Sequence, residues 1–378
     1  MLRKKEMRWD IFCRVIDNFG DIGVCWRLAR QLVAEHGLQV RLWVDDLPSL
    51  HHICPDADPG LEVQTCSGVE IRRWSAPFPE AIPAAVVIEA FACELPDQYL
   101  ATMAQREPRP VWINLEYLSA ETWVDSHHGL PSPHPRLPLT KYFFFPGFTP
   151  AAGGLLRESS LLRRRDTQQR NTAELWQALG LPAPAEDEIA VSLFCYDTAP
   201  LPALLDAWAA AARPVRCLVP EGKALSKVAA CFGRSSLTPG DTLQRGNLTL
   251  HVLPFMPQED YDLLLWACDC NFVRGEDSFV RAQWAAKPMV WQIYPQQENA
   301  HHIKLDAFLD LYCSDLAEDA ATTLRAFHHG WNNQGPLCWD DFRNHHTALQ
   351  AHAAAWAGRL AEQSDLASKL VIFCKNRV

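Results

Sequence analysis

Short apolar runs, separated by polar and glycine-bearing turns, recur along this 378-residue chain, and their period switches between that of strands and that of helices. DIFCRVI (10–16) is the first strand candidate. DNFGDIG follows it, and from Ile22 the apolar positions Cys25, Trp26, Ala29, Leu32 and Val33 repeat at helical spacing until Gly37 stops the helix. VRLWV begins the next strand at Val40. AAVVIEAFA (84–92), VWINLEY (111–117) and KYFFFPGF (141–148) can supply further strands of the same sheet. Strand, glycine-containing loop, helix, strand is the opening of a Rossmann-like domain.

From Thr149 to about Glu188 the pattern changes. Pro150, Gly153-Gly154, the run Arg163-Arg164-Arg165 and LPAPAEDE read as a loop, a helix and an interdomain connection, with the arginine run as a solvated loop. A second α/β series starts at IAVSLFCY (189–196) and continues through LPALLDAWAAA, VRCLVP, LTLHVLPF and DYDLLLWA. It ends in a βαβ unit: CNFV feeds Arg274-Gly275-Glu276-Asp277-Ser278, a short amphipathic helix from Phe279, and then MVWQIYP. The tail from His345 holds a helical run and KLVIF, and a last helix here can cross back to the N-terminal domain. The expected fold class is therefore α/β, two Rossmann-like domains facing each other across a cleft. The boundaries fall at 1–180 (including the connecting segment), 181–350 and a C-terminal segment 351–378.

Composition narrows the function classes. The length favours two domains, and 48% hydrophobic with 21% charged residues is ordinary for a globular protein and gives disorder poor support. A formal net charge of -10 disfavours a nucleic-acid partner. Thirteen cysteines show no zinc spacing; Cys268 and Cys270 lie in an apolar stretch as buried thiols, and the unpatterned count fits a reducing cytoplasm. The amino terminus lacks a signal-peptide core, and no apolar run reaches the length of a membrane span. The five His-His doublets fit no metal motif. Fourteen tryptophans suggest large buried aromatic surfaces, a platform for a planar ligand, or both.

Candidate chemistry collects at the carboxyl ends of strands, where ligands of open α/β sheets sit. Asp17-Asn18-Phe19-Gly20-Asp21-Ile22-Gly23 matches neither GxGxxG nor GxxxxGK[ST]. Asp17 can make an Asx turn and Asp21 can cap the helix at Ile22, or both can serve catalysis. A carboxylate beside a helix N-terminus is stabilised as an anion, which makes it a weaker base. In the second half, Asp277 or Ser278 can cap the helix whose N–H groups suit a diphosphate, with Arg274 available to a phosphate or to a neighbouring acid. Glu276 has no capping role if the helix starts at Phe279. Phe194 and Tyr196 end one strand, Phe255 and Gln258 follow another, and Tyr294 follows VWQI. Each can be core or can stack on, or hydrogen-bond to, a planar base.

WDIFCRVIDNFGDIGVCWRLARQL (9–32), VRLWVDD (40–46), FFFPGFTPAAGGLLRE (143–158) and LPFMPQEDYDLLLWACDCNFVRGEDSFVRAQWAAKPMVWQIYPQQENAH (253–301) together resemble the EarP-type protein-arginine rhamnosyltransferases, which modify bacterial translation elongation factor P. The resemblance covers essentially the whole chain. It implies GT-B architecture, with an N-terminal acceptor-binding and a C-terminal nucleotide-sugar-binding domain. It also implies inverting, metal-independent transfer from dTDP-β-L-rhamnose to one arginine of elongation factor P, with no cofactor. Asp17 and Asp21 would face acceptor and sugar, Asp21 as the favoured base, and Glu276 would be the third essential carboxylate. Tyr196, Phe255, Gln258, Arg274, Asp277 and Ser278 would line the donor pocket, with Phe194 and Tyr294 in its walls. The rival readings are another GT-B nucleotide-sugar transferase or an epimerase, and a non-enzymatic binder of elongation factor P. A Rossmann oxidoreductase is weakest, because the dinucleotide fingerprint is missing.

Overall fold

The computed structural model describes residues 7–17, 19–296, 298 and 300–377. Residues 1–6 of the basic amino terminus, Asn18 of the DNFGDIG turn, and Gln297 and Asn299 near the end of the fourth family-like stretch lie outside the described residues. The chain divides into two compact units, Met1–Ser159 with Gln363–Val378, and Ser160–Glu362.

The first unit runs β1 (Arg8–Cys13), α1 (Gly20–His36), β2 (Gln39–Val44), α2 (Leu47–Ile53), β3 (Val63–Cys66), β4 (Val69–Arg73), β5 (Val86–Ala90), α3 (Asp97–Gln105), β6 (Val111–Leu115), α4 (Trp123–His127), β7 (Pro131–Pro133) and β8 (Thr140–Phe144). Its sheet has the order β3-β4-β2-β1-β5-β6-β8-β7. The inner strands pair in parallel, and β3 and β7 add antiparallel edges. The central strands β5 and β6 are buried on both faces, which explains their continuous apolar runs. β1 lies between β2 and β5, so strand order reverses at its carboxyl end, and a crevice is expected there. Gly37 closes α1 in the left-handed region, at φ 62°, as a glycine after the last helical turn readily does.

A buried charge cluster ties this sheet together. Asp10, fully buried on β1, accepts Arg41 Nε and Nη2, each at 2.6 Å, and the backbone N–H of Ala84 at 3.1 Å. The Tyr99 hydroxyl on α3 also donates to it. Both oxygens of the carboxylate are thus hydrogen-bonded, as an ion pair kept in a core requires.

The second unit runs α5 (Leu161–Arg170), α6 (Thr172–Ala178), β9 (Ile189–Leu193), α7 (Leu201–Ala209), β10 (Val215–Pro220), α8 (Leu225–Cys231), β11 (Thr242–Arg245), β12 (Leu248–Leu253), α9 (Gln258–Ala267), β13 (Cys270–Arg274), α10 (Asp277–Ala285), β14 (Met289–Gln292), α11 (Ala300–Tyr312), α12 (Glu318–Trp331), α13 (Trp339–Asn344) and α14 (His346–Ala361). Its sheet order is β11-β12-β10-β9-β13-β14, parallel except for β11. Strand order reverses at β9, whose neighbours are β10 and β13. The last helix, α15 (Leu366–Lys375), belongs to the first unit: Asp365 accepts both the Ser368 N–H at its start and Gln31 Nε2 of α1, each at 3.0 Å.

Several expectations need correction. The units divide at Ser159/Ser160 and Glu362/Gln363 rather than near 180 and 350. The reason lies in α5 and α6, which pack on α9. Arg165 Nη1 donates to the Trp284 carbonyl at 2.8 Å and Gln169 Nε2 to that of Ala285 at 3.0 Å. The run Arg163-Arg164-Arg165 is therefore helical, not a solvated loop. α1 starts at Gly20, with Phe19 in the cap position, so Asp21 sits inside the first turn and is not the cap. α10 starts at Asp277, with Glu276 in the cap position, so neither Asp277 nor Ser278 caps it.

Cys268 and Cys270 are buried free thiols. Trp9, Trp26, Trp43, Trp208, Trp331 and Trp339 fill the two cores, which accounts for much of the tryptophan surplus. Among the described residues no group of His, Cys, Asp and Glu could hold a metal ion, and no helix is long and apolar enough to cross a membrane.

Removing one partner of a buried ion pair leaves the other charge uncompensated. Asp10→Ala should therefore destabilise the first unit by about 3–5 kcal/mol, read as a lower urea midpoint. A loss within ~0.5 kcal/mol would mean that Arg41 finds water or another acceptor.

Candidate active site

In the first unit the site is the turn from β1 into α1. The Gly20 N–H donates to the Asp17 carbonyl, closing the turn. A Cβ on Gly20 would stand 2.7 Å from Asp17 Oδ2, so a side chain at position 20 would displace that carboxylate. Asp21 is 2% exposed. Its Oδ2 accepts the N–H groups of Ile16 at 2.8 Å and of Asp17 at 2.9 Å, folding the turn around the carboxylate. The Tyr117 hydroxyl, just beyond β6, donates to Oδ1 at 3.2 Å.

Burial pushes the Asp21 carboxyl above the ordinary aspartate value; the two backbone hydrogen bonds pull it down, the Asp17 charge adds to the rise, and Tyr117 opposes it. This reverses the expectation that a helix N-terminus would make Asp21 a weak base. Desolvation outweighs the hydrogen bonds that favour the anion, and a carboxylate so raised accepts a proton more readily.

In the second unit the site is built at the carboxyl ends of β9, β13 and β14. Arg274, ending β13, is 6% exposed. Its guanidinium lies over both aromatic residues that follow β9, with its carbon 4.5 Å from the ring centroids of Phe194 and of Tyr196. Stacking of this kind holds the cation in place. Arg274 Nη1 is buried and has no hydrogen-bond partner among the described residues. A buried guanidinium N–H without an acceptor is costly in isolation and suits an anionic oxygen.

The chain turns at Gly275 with φ 60°, a left-handed conformation that glycine adopts without strain. Trp291 Nε1 captures the Gly275 carbonyl at 2.7 Å, and the Trp291 ring stacks on Phe279 of α10 with centroids 3.9 Å apart. Ser278 Oγ accepts the Arg274 N–H at 3.1 Å and donates back to the Arg274 carbonyl. Serine 278 therefore braces the Arg274 turn. Asp277 accepts Gln258 Nε2 at 3.3 Å, joining the first turns of α9 and α10. Gln292 accepts the Tyr196 N–H at 2.7 Å, and the half-exposed Tyr294 meets Tyr196 edge-on, with centroids 5.5 Å apart. The buried pair Arg281–Asp262 locks α10 to α9, with contacts of 2.8 and 2.5 Å.

Two clusters thus emerge from the predicted residues. Asp17 and Asp21 meet in the first unit; Phe194, Tyr196, Gln258, Arg274, Asp277, Ser278 and Tyr294 are linked in the second. Glu276 stands at the cap position of α10, beside Asp277. Phe255 is partly exposed on the segment between β12 and α9. Sequence reasoning missed Tyr117, Gln292 and Trp291. Tyr117 follows β6, Gln292 ends β14 and Trp291 precedes it, so position along the sheet was the available signal.

The family described as Elongation-Factor P (EF-P) rhamnosyltransferase EarP matches residues 9–375. A protein-arginine rhamnosyltransferase of Pseudomonas putida KT2440 is 51% identical over 373 residues, which span 97% of this chain and 98% of that protein. The solved structure giving the structural basis for EarP-mediated arginine glycosylation of translation elongation factor EF-P aligns with a TM-score of 0.70 at 39% identity. It covers 98% of this chain and 100% of that one. The spinosyn rhamnosyltransferase SpnG aligns over 97% of this chain and 99% of that one with a TM-score of 0.52 at 11% identity, a likeness of fold alone. The fold is of the GT-B glycosyltransferase type.

A carboxyl whose folded-state value is raised holds its proton better folded than unfolded. Its favourable contribution is present at acid pH and is lost as pH rises from the ordinary aspartate range through the raised value. Asp21→Asn lacks that loss. In urea titrations at matched pH, the variant should gain stability relative to the wild type between acid and neutral conditions. A gap that does not change with pH would remove desolvation as the dominant effect at Asp21.

Proposed function

Because the chain belongs to the EarP family of protein-arginine rhamnosyltransferases, we propose that it moves L-rhamnose from dTDP-β-L-rhamnose to one arginine side chain of translation elongation factor P. In this reading the transfer inverts the anomeric carbon, needs neither metal ion nor cofactor, and takes place in the cytoplasm. The thirteen free cysteines fit that compartment. The relatives' names point to arginine and rhamnose, and the family description points to the acceptor protein.

One observation carries the donor side: the buried Arg274 guanidinium has an Nη1 without a partner among the described residues, beside the first turn of α10. An α-helix N-terminus and a stacked guanidinium together would bind the diphosphate and stabilise the charge that develops on it as it leaves. Neutralisation of the leaving group therefore needs no ion. Phe194, Tyr196, Phe255 and Tyr294 would supply apolar walls and stacking for the base, and Gln258 a hydrogen bond to its edge. Asp277 and Ser278 would keep α9, α10 and the Arg274 turn in register, so in our reading their effect on the donor runs through Arg274.

Arginine is a poor nucleophile, because its guanidinium is protonated and its lone pairs are delocalised. Asp17 and Asp21 would bind the cation and draw its charge toward the nitrogens they contact. As an arginine nitrogen attacks the anomeric carbon from the face opposite the diphosphate, the new C–N bond forms and the bond from carbon to the phosphate oxygen breaks. That electron pair leaves on dTDP. The proton lost from the attacking nitrogen passes to Asp21, whose raised carboxyl suits the task. The product is an α-linked rhamnosyl arginine. Glu276 is assigned to the donor sugar as the third carboxylate.

Incubating purified elongation factor P with this protein and dTDP-β-L-rhamnose, in the presence of a chelator, should add the mass of one deoxyhexose. Replacing the acceptor arginine should abolish the gain. An unmodified acceptor, with donor binding demonstrated in parallel, would rule out this donor–acceptor pair. Arg274→Lys should weaken dTDP binding in calorimetry about tenfold or more, equivalent to ~1.4 kcal/mol, because a lysine cannot keep both the stack and the fork of donors. Unchanged affinity would take the diphosphate away from Arg274.

A further inference from the structure

We infer that Tyr117 is a positioning residue for the transfer, holding Asp21 in its proton-accepting orientation, and that a strained turn at the end of β5 in turn holds Tyr117 in place. The inference rests on the reading of Asp21 as the base. Tyr117 lies beyond the end of β6, and its hydroxyl reaches Asp21 Oδ1 at 3.2 Å. Asp21 Oδ2 is already occupied by two backbone N–H groups of its own turn. With Oδ2 fastened to the turn and Oδ1 to the tyrosine, the plane of the carboxylate is fixed from two separate elements.

The tyrosine ring is itself held. Phe91 stacks on it, with centroids 4.4 Å apart and planes at 17°. Phe91 and the next residue, Ala92, both adopt left-handed backbone, at φ 56° and 53°. Non-glycine residues in that region cost of order 1–3 kcal/mol each, and such strain persists where surrounding bonds impose it. Here the Phe91 N–H donates to the Leu115 carbonyl at 2.7 Å, and the Ala92 N–H to Asn114 Oδ1 at 3.1 Å. Asn114 Nδ2 also donates to Glu116, the residue before Tyr117. The end of β6 thus bends the β5 turn into a shape that presents Phe91 to Tyr117. A core aromatic pair would need no strained backbone to make this contact.

Among the described residues, the ionisable groups at this corner include Asp17 in the Asp21 turn, Glu116 before Tyr117, Cys13 at the end of β1 with its hydrogen-bonded neighbour Cys25 on α1, and Asp45 after β2. Asp17 carries charge that raises the Asp21 carboxyl, and the Tyr117 hydroxyl opposes that rise. Loss of the hydroxyl therefore makes Asp21 hold its proton to higher pH and leaves its plane less constrained.

The test is the pH dependence of rhamnosyl transfer for wild type, Tyr117→Phe and Asp21→Asn, at saturating donor and acceptor. Tyr117→Phe keeps the ring and its stack on Phe91. Its acid limb should move to higher pH, with a rate roughly threefold lower on that limb and partial recovery toward alkaline pH. A profile that superimposes on the wild type, or one lowered by the same factor at every pH, would overturn the inference. Phe91→Leu loosens the same tyrosine from behind and should displace the limb in the same direction; it decides the matter if Tyr117→Phe does not fold. The control separates the two layers of the argument. Wild-type turnover in Asp21→Asn would sink the reading of Asp21 as base, whatever Tyr117 does. An inactive Asp21→Asn with an undisplaced Tyr117→Phe limb would sink the role of Tyr117 alone.

Discussion

Withdrawing the Asp21 carboxylate from water costs free energy that its hydrogen bonds offset only in part, and the turn from β1 into α1 is arranged around that deficit. The N–H groups of Ile16 and Asp17 point inward at the carboxylate. Gly20 lacks a side chain because a Cβ would collide with Asp17. In the proposed transfer the same deficit would make Asp21 useful as a base, since a carboxylate at ease in solvent has little affinity for a proton near neutral pH. Stability and reactivity would then draw on one interaction in opposite directions.

The second unit solves a complementary problem. In the proposed reaction Arg274 must stay charged and in place before the donor's diphosphate pairs with it, and the rings of Phe194 and Tyr196 hold the guanidinium there. Around it, Trp291 grips the Gly275 carbonyl, Ser278 closes the turn, and the buried Arg281–Asp262 pair fixes α10 on α9. Three different kinds of contact stiffen one short loop. A preorganised site of this kind spends little on reorganisation when the ligand binds.

Much of this was legible in the pattern of residues. Period-two apolar runs alternating with helical spacing gave both α/β series, and Gly37 marked the end of α1. The edge strands β3, β7 and β11 escaped notice because they are short, partly polar and antiparallel, without the buried apolar signature of the central strands. The arginine run was misread because its charges obscure what the helix does: Arg165 spends a guanidinium N–H on a backbone carbonyl of α10, and Gln169 another donor on the next. The cap assignments failed at both sites for a shared reason. Asp21 and Ser278 have the chemistry of caps but sit inside the first helical turn, where they bond the loop before the helix rather than the helix itself. Tyr117 could not be picked from its neighbours in VWINLEY, because its importance comes from a partner 96 positions away in sequence.

The return of the last helix gives the chain an unusual order of assembly. α15 packs on α1, Leu366 bonds back to the Leu155 carbonyl, and Lys369 donates to the carbonyls of Pro150 and Ala152. Every one of those partners precedes Ser160, so the whole second unit is an insertion within the first. During synthesis from the amino terminus, the early sheet waits for its final helix until all of residues 160–362 have been made, whereas the inserted unit is already continuous. The unit that carries Asp21 begins first and is completed last, and until the final helix docks, the surface of α1 that it covers stays open to solvent.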